Sequence, residues 1–398
     1  MPATRPRIVF TGDVCNACLY IEERKKIDWG ERRQAFLDLV KEKKNNEAYD
    51  CIVPFSGGKD SATIAHRLKF ELGLNPLLVT YGQMLWTDVG RHNYRQVINQ
   101  GFDAVYWNIG GLRDEGGREY VLDGERKTLA DGFDLPGEAG RIQTRNIGRE
   151  ISRKLARRFF IERGHPKQHY DAAVNAVPII TALDSGIPLV VFAEHGESFY
   201  GGHVLSEEHR RRRDLAEVLE NQVGDDARNW AVDGITEKDL YPYIMPEGAE
   251  SIEAIYYSWY FPWDIYKNAI YARSKMGFRQ ARNWDRTRHY ADVARPIRRI
   301  FGLPNWWGKS DGSFEGFDSI DDMIDDLDYY MMYIKFLFGR STRMAARLFQ
   351  AGHIGKRAAE GMIERFDGEY PRTYLPAILD YLGMTESEMN GIVDLHRN

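Results

Sequence analysis

The chain reads as an α/β protein: a parallel sheet covered by helices on both faces, a short N-terminal segment carrying a Cys-x-x-Cys pair, and a mainly helical C-terminal domain. Three observations predict this. Between about residues 49 and 205, short apolar runs (Cys51 to Phe55, Leu77 to Tyr81, Ala104 to Trp107 and Pro188 to Ala193) alternate with stretches of helical periodicity, the pattern of a buried parallel sheet. The first of these runs passes directly into Ser56-Gly57-Gly58-Lys59-Asp60-Ser61 and then into helical spacing through Ile64, Ala65 and Leu68. From about residue 206 strand signals fade. Leu327, Tyr330, Met331, Ile334 and Phe338 recur at helical spacing, as do Ala358, Met362, Ile363 and Phe366.

Taken in order, residues 1–48 hold Cys15-Asn16-Ala17-Cys18 and a charged helix with Phe36, Leu37, Leu39 and Val40. Residues 49–205 form the α/β domain, interrupted at about 108–145 by a Gly- and charge-rich insertion or lid without strong periodicity. Residues 206–398 form the helical domain. The composition, 43% hydrophobic and 28% charged with a net charge of -5, is that of a soluble enzyme with no global pull toward nucleic acid or membrane. The first residues lack the apolar core of a signal peptide, and no apolar run approaches the roughly 20 residues that span a bilayer. Three cysteines are too few for a disulfide framework, so a cytoplasmic location is expected.

The chemistry concentrates in Ser56 to Ser61. A strand running into a glycine-rich turn and then a helix aims several backbone N–H groups at one point, where the helix dipole adds positive charge; this suits phosphate. Gly57 and Gly58 allow close approach, Ser56 and Ser61 add hydroxyls, Lys59 adds a cation, and Asp60 is placed to cap the helix or hold Mg2+. The loop is not a Walker A motif, because GxxxxGK[ST] is absent.

Weaker signals leave more than one reading. The aromatic block Tyr256 to Trp263 serves equally as domain-interface core or as a substrate wall. His165 and His169 are four apart, but Pro166 between them favours a plain surface turn. Arg141, Arg145, Arg149, Arg153 and Arg157 recur every four residues, and Arg210 to Arg213 form a second block; RNA or a phosphorylated sugar would suit either, but a solvated helix face is the commoner explanation. Asp318, Asp321, Asp322, Asp325 and Asp326 crowd the start of a helix, where carboxylates suit the dipole.

The SGGKDS loop after an apolar strand resembles the PP-loop superfamily of ATP pyrophosphatases, whose adenine-nucleotide-hydrolase-like sheet the fold reading matches. The resemblance implies that ATP is split into AMP and pyrophosphate, with Lys59 and Asp60 catalytic and Ser56, Gly57, Gly58, Lys59, Asp60, Ser61 and Tyr81 holding the nucleotide and Mg2+. Further segments are similar to one branch, the N-acetyl sugar amidotransferases of surface-polysaccharide synthesis: Gly12 to Cys18, Asp50 to Pro54, Ile187 to Val191 leading to Glu194, Tyr200-Gly201-Gly202, Leu240 to Tyr243, Tyr260 to Asp264, Tyr329 to Phe336, Phe338 to Arg340, and Phe366 to Pro371. That branch converts an acetamido group on a sugar or nonulosonic acid into an acetamidino group. By this resemblance Glu194, Tyr200, Asp264, Lys267, Asn268 and Arg340 are candidates for the sugar or its adenylate; Trp86 and Trp263 have rings that suit stacking on a sugar face, although buried core is the commoner place for each. In the family a second Cys-x-x-Cys joins the first to make a structural zinc set; here only Cys15 and Cys18 match, two ligands short.

No cysteine has the setting of a glutaminase nucleophile: Cys51 lies in an apolar strand, and Cys15 and Cys18 form the Cys-x-x-Cys pair. Ammonia is therefore expected from a separate glutaminase subunit, and the resemblance points to a cyclase-like partner beside it. A tRNA thiolase is the alternative within the superfamily, kept open by the arginine rows; an ATP sensor without turnover is a third reading.

Overall fold

The computed structural model describes residues 8–45, 48–109, 121–122, 125–126, 142–147, 149–194, 196, 199, 206–213, 224–232, 234–280 and 317–398. Strands β1 (Phe10–Thr11) and β2 (Val14–Cys15) make a small antiparallel hairpin that leads into helix α1 (Asn16–Arg24). Helix α2 (Trp29–Lys43) starts at Asp28, whose carboxylate accepts from the backbone N–H groups of Gly30 and Glu31.

The chain then lays down the central sheet: β3 (Cys51–Pro54), helix α3 (Lys59–Phe70), β4 (Pro76–Tyr81), α4 (Asp88–Ile98) and β5 (Ala104–Asn108). Two short strands, β6 (Val121–Leu122) and β7 (Glu125–Arg126), pair within the 108–145 stretch, most of which lies outside the described residues. After them come β8 (Ile142–Asn146), α5 (Arg149–Arg163), α6 (Gln168–Ser185), β9 (Leu189–Phe192), α7 (Glu207–Arg211) and β10 (Glu253–Tyr256). The order across the sheet is β10-β9-β3-β4-β5-β8, and every pairing is parallel.

Alternation along the strands explains the two faces. Cys51, Val53, Leu78, Ala104, Leu189, Val191 and Ile255 point to one side, where α2, α3, α4 and α9 (Ile265–Met276) cover them. Ile52, Leu77, Val79, Val105, Trp107 and Val190 point to the other, under α5 and α6. The sheet therefore crosses residue 205, because β10 lies beyond it; this corrects the expectation that strands end there. Glu253-Ala254-Ile255-Tyr256 is short and runs straight into the aromatic helix α8 (Tyr257–Tyr260), so its own pattern is masked. Most of the aromatic block is core: Tyr257, Tyr260 and Phe261 are buried beside Phe36.

The last part of the chain is helical: α10 (Asp325–Phe336), α11 (Arg340–Gln350), α12 (Lys356–Phe366), α13 (Leu375–Leu382) and α14 (Glu386–Leu395). Leu327 and Ile378 join the sheet's second core, whereas Met344, Leu348 and Met362 build a separate small one with Ile265. Arg157 donates to the carbonyls of Leu382 and Gly383 and so caps α13, while Arg149 lies over the Tyr381 ring. Among the described residues no helix is long and apolar enough to cross a membrane.

Candidate active site

Chain order reverses between β3 and β9: β3, β4, β5 and β8 run one way across the sheet, β9 and β10 the other. In open parallel sheets ligands bind at the carboxyl ends of the strands at such a point. The Ser56 to Ser61 loop leaves β3 there. Gly57 has φ +92°, and a Cβ on it would lie 3.1 Å from the Trp86 ring, so glycine is required twice over. The Gly58 N–H donates to Ser56 Oγ at 3.2 Å, Gly58 is the N-cap of α3, and Lys59 is its first helical residue. A cavity of about 510 Å3 opens above the loop, lined by Ser56, Gly58, Lys59, Asp60 and Ser61, by the β4 residues Val79 and Tyr81, and by Tyr170, Val174 and Pro178 of α6.

The opposite wall comes from residues 317–347. Lys59 Nζ sits between Asp60 Oδ2 at 2.8 Å and Asp318 Oδ1 at 2.6 Å. Burial opposes its charge, yet the two carboxylates carry its pKa above the ordinary lysine value. Asn268 Nδ2 donates to the other oxygen of Asp60 at 2.8 Å. His165 Nδ1 meets Asp328 at 2.9 Å and Nε2 meets Asp171 at 3.1 Å; burial alone would lower its pKa, but the two carboxylates raise it to about 10. Lys167 pairs with Asp325. Gln83 Nε2 donates both to the Ser56 carbonyl at 2.9 Å and to Asp321 Oδ2 at 2.6 Å. Burial, with the nearby charge of Asp325 adding, pushes the Asp321 carboxyl up to about 6.

This wall is fastened to the turn after β4. Asp322 accepts the backbone N–H groups of Met84 at 2.9 Å and Leu85 at 3.0 Å, and that of Ile324 at 3.2 Å. The Met323 N–H donates to the Leu85 carbonyl, the Thr87 N–H to the Asp321 carbonyl, and Trp86 and Asp322 form an antiparallel bridge. Gly90 lets Asp321 lie against the start of α4: a Cβ there would fall 2.6 Å from Asp321 Cα.

Of the residues singled out in the sequence, the loop, Tyr81, Glu194 and Trp263 line the cavity. Asn268 reaches it through Asp60. The others stand elsewhere. Trp86 is buried beneath the loop with Nε1 on Tyr106 OH at 3.1 Å. Asp264 caps α9 and bonds His353 Nε2 at 2.7 Å, and Lys267 is exposed on that helix. Arg340 is buried on Asp326 at 3.2 Å. Tyr200 lies outside the described residues. Cys15 and Cys18 have their Sγ atoms 3.5 Å apart, but among the described residues no group of three or more His, Cys, Asp or Glu side chains suits a metal ion. The pair alone does not fit a closed tetrahedral zinc set. Cys51 is fully buried in β3 and its thiol pKa is pushed up by burial, which removes it as a nucleophile.

Two other expectations, on the histidines and on the aspartate cluster, are corrected. His165 is no plain surface turn but a cavity residue held by two carboxylates, and His169 is fully buried with Nε2 on Ser152 Oγ at 2.9 Å. Several of the arginines are ion-paired within the fold, in keeping with the commoner reading: Arg145 pairs with Asp184, Arg210 with Glu23, Arg211 and Arg212 with Glu253, and Arg213 with Glu194, while Arg141 lies outside the described residues. The aspartates from Asp318 to Asp328 do more than complement a helix dipole, since Asp318, Asp321, Asp325 and Asp328 line the cavity. Only their density in the sequence signalled this; their partners lie some 160 to 260 residues away.

Residues 311–398 match the family model described as LPS biosynthesis protein WbpG-like, C-terminal domain. The match supports a polysaccharide-biosynthesis family, and with it an enzyme. It covers the wall that carries Asp318, Asp321, Asp325 and Asp328. No curated protein is similar enough to count as a match.

Proposed function

We propose that this protein is an ATP-dependent amidotransferase of the PP-loop type that works in surface-polysaccharide synthesis in the cytoplasm. In this reading ATP enters the cavity with its β- and γ-phosphates on the Ser56 to Ser61 loop. The acetamido oxygen of an N-acetylated sugar or nonulosonic acid takes AMP, and ammonia then displaces AMP to leave an acetamidino group. The observation that carries the reading is the strand–SGGKDS–helix turn at the sheet's reversal point, facing a wall that matches an LPS-biosynthesis family.

The chain's own residues suit that chemistry. The loop N–H groups, the α3 N-terminus and Lys59 meet negative charge that grows as the α–β phosphate bond breaks. Asp60, fixed by Asn268, is the residue to hold Mg2+, which would supply further charge stabilisation. Val79, Tyr81, Tyr170 and Val174 offer an apolar surface for a purine. Gln83 Oε1 and the Tyr170 hydroxyl are buried at the cavity wall without a hydrogen-bond partner among the described residues, which fits a site built to receive a polar ligand. Trp263 and Glu194, which also line the cavity, suit the acceptor sugar.

The tRNA-thiolase alternative draws less support from the arginine rows, because Arg145 and Arg210 to Arg213 are ion-paired within the fold. Product analysis by ion-exchange chromatography tests the proposal. AMP and pyrophosphate are expected, and Lys59→Ala and Asp60→Ala should each lower turnover by about 10²-fold or more. ADP and phosphate would end it.

A further inference from the structure

Lys59 occupies an unfavourable place for a cation. It is the first residue of α3, where the helix dipole is positive, and its side chain is only 7% exposed. Its ammonium group is held there by Asp60, next to it in the chain, and by Asp318, which is 259 positions away. The Asp318 contact is the shorter one, 2.6 Å against 2.8 Å. Asp60 also accepts from Asn268 through its other oxygen, a bond that Asp318 does not share.

Lys59 is the cation on the loop itself, whereas Arg343 and Arg347 line the cavity from the opposite wall. Seven carboxylates line the cavity, namely Asp60, Asp171, Glu194, Asp318, Asp321, Asp325 and Asp328. Two of its other cations, His165 and Lys167, are committed to Asp171, Asp328 and Asp325. Were Lys59 to leave Asp318, the carboxylate would still face Arg343 and Arg340, whose charges act on it now together with that of Lys59. Its charge would not be stranded.

We propose that Asp318 is a positioning residue for Lys59: it holds the ammonium group over the loop in the absence of ligand and yields it to an entering phosphate, resting then against Arg343 and Arg340. The proposal depends on the loop being a phosphate site. It makes Asp318 a competitor of the ligand rather than one of its contacts. Removing the competitor's charge therefore strengthens phosphate binding, whereas removing a ligand contact or loosening the fold weakens it.

The test is calorimetric titration of the full chain with sodium pyrophosphate in metal-free buffer, for wild type, Asp318→Asn and the double variant Lys59→Met/Asp318→Asn. Asp318→Asn should bind about tenfold or more tightly than wild type, the scale of one charge-assisted hydrogen bond, and the double variant should lose the gain. Equal or weaker binding by Asp318→Asn overturns the proposal. A second measurement uses no phosphate. Brief acetylation with acetic anhydride, read by mass spectrometry, should label Lys59 several times faster in Asp318→Asn; equal labelling overturns the resident contact. If neither protein binds pyrophosphate while the labelling difference persists, the loop is not a phosphate site, and the exchange falls with it although the Lys59–Asp318 contact stands.

Discussion

Replacing Asp322 should undo the docking of the cavity's far wall. Its carboxylate accepts three backbone N–H groups in a buried setting: Leu85 and Ile324 on Oδ1, and Met84 on Oδ2. Alanine leaves all three donors without an acceptor. At about 1–1.5 kcal/mol for each, the docked segment loses roughly 3–4.5 kcal/mol, or about two to three powers of ten in its opening equilibrium. Asparagine keeps an oxygen for Leu85 and Ile324 but sets an amide against the Met84 N–H, so about a third of the effect, roughly tenfold, should remain. Hydrogen exchange read by mass spectrometry on peptides covering 83–87 and 318–324 reports this directly. The expected order is wild type most protected, then Asp322→Asn, then Asp322→Ala, with peptides from α2 unchanged. If both variants exchange within threefold of wild type in those peptides, Asp322 does not fasten the wall and the account of the docking is wrong.

Other expectations follow from the same geometry. Because its two carboxylates raise His165 to about 10, its contribution to stability is fully present below the ordinary histidine pKa and fades as pH rises toward 10; thermal denaturation of His165→Asn against wild type should show a gap that narrows between pH 6.5 and 10. Gly90→Ala should lower the melting temperature although alanine favours helix by about 1 kcal/mol, because the new methyl meets the Asp321 backbone; a rise would refute the close seating. Incubated alone with ATP and an acceptor sugar, the chain should use concentrated ammonium at alkaline pH but not glutamine, since no cysteine is placed as a glutaminase nucleophile; efficient use of glutamine would refute this.

What the sequence revealed was local. Residues 51 to 70 declare a strand, a glycine turn and a helix within one window, and the structure holds all three in place. The alternation of apolar runs likewise announced the parallel sheet. What escaped was the pairing of distant segments. Nothing near Asp318 or Asp321 says that their partners are Lys59 and Gln83, and nothing near His165 says that Asp328 will reach it. Asp264 and Arg340 show the converse: charged residues read from the sequence as candidates for a ligand have partners within the fold, one as a helix cap and the other on a buried carboxylate. A charged side chain shows its type in sequence, but only tertiary contact decides whether its partner is protein or substrate.

The 259-position gap between Lys59 and Asp318 also has a consequence during synthesis. At about 5–20 residues per second, Asp318 leaves the ribosome roughly 10–50 seconds after Lys59. For that interval β3, α3 and β4 are available to pair, but the lysine at the head of α3 lacks its distant counter-ion and the cavity lacks a wall. Even the edge strand β10 arrives only after some 200 residues have followed β3. A nascent chain halted before residue 318 would thus present its glycine turn open to the medium. The loop side of the cavity is made first, and the C-terminal segment that matches the LPS-biosynthesis family model closes it last.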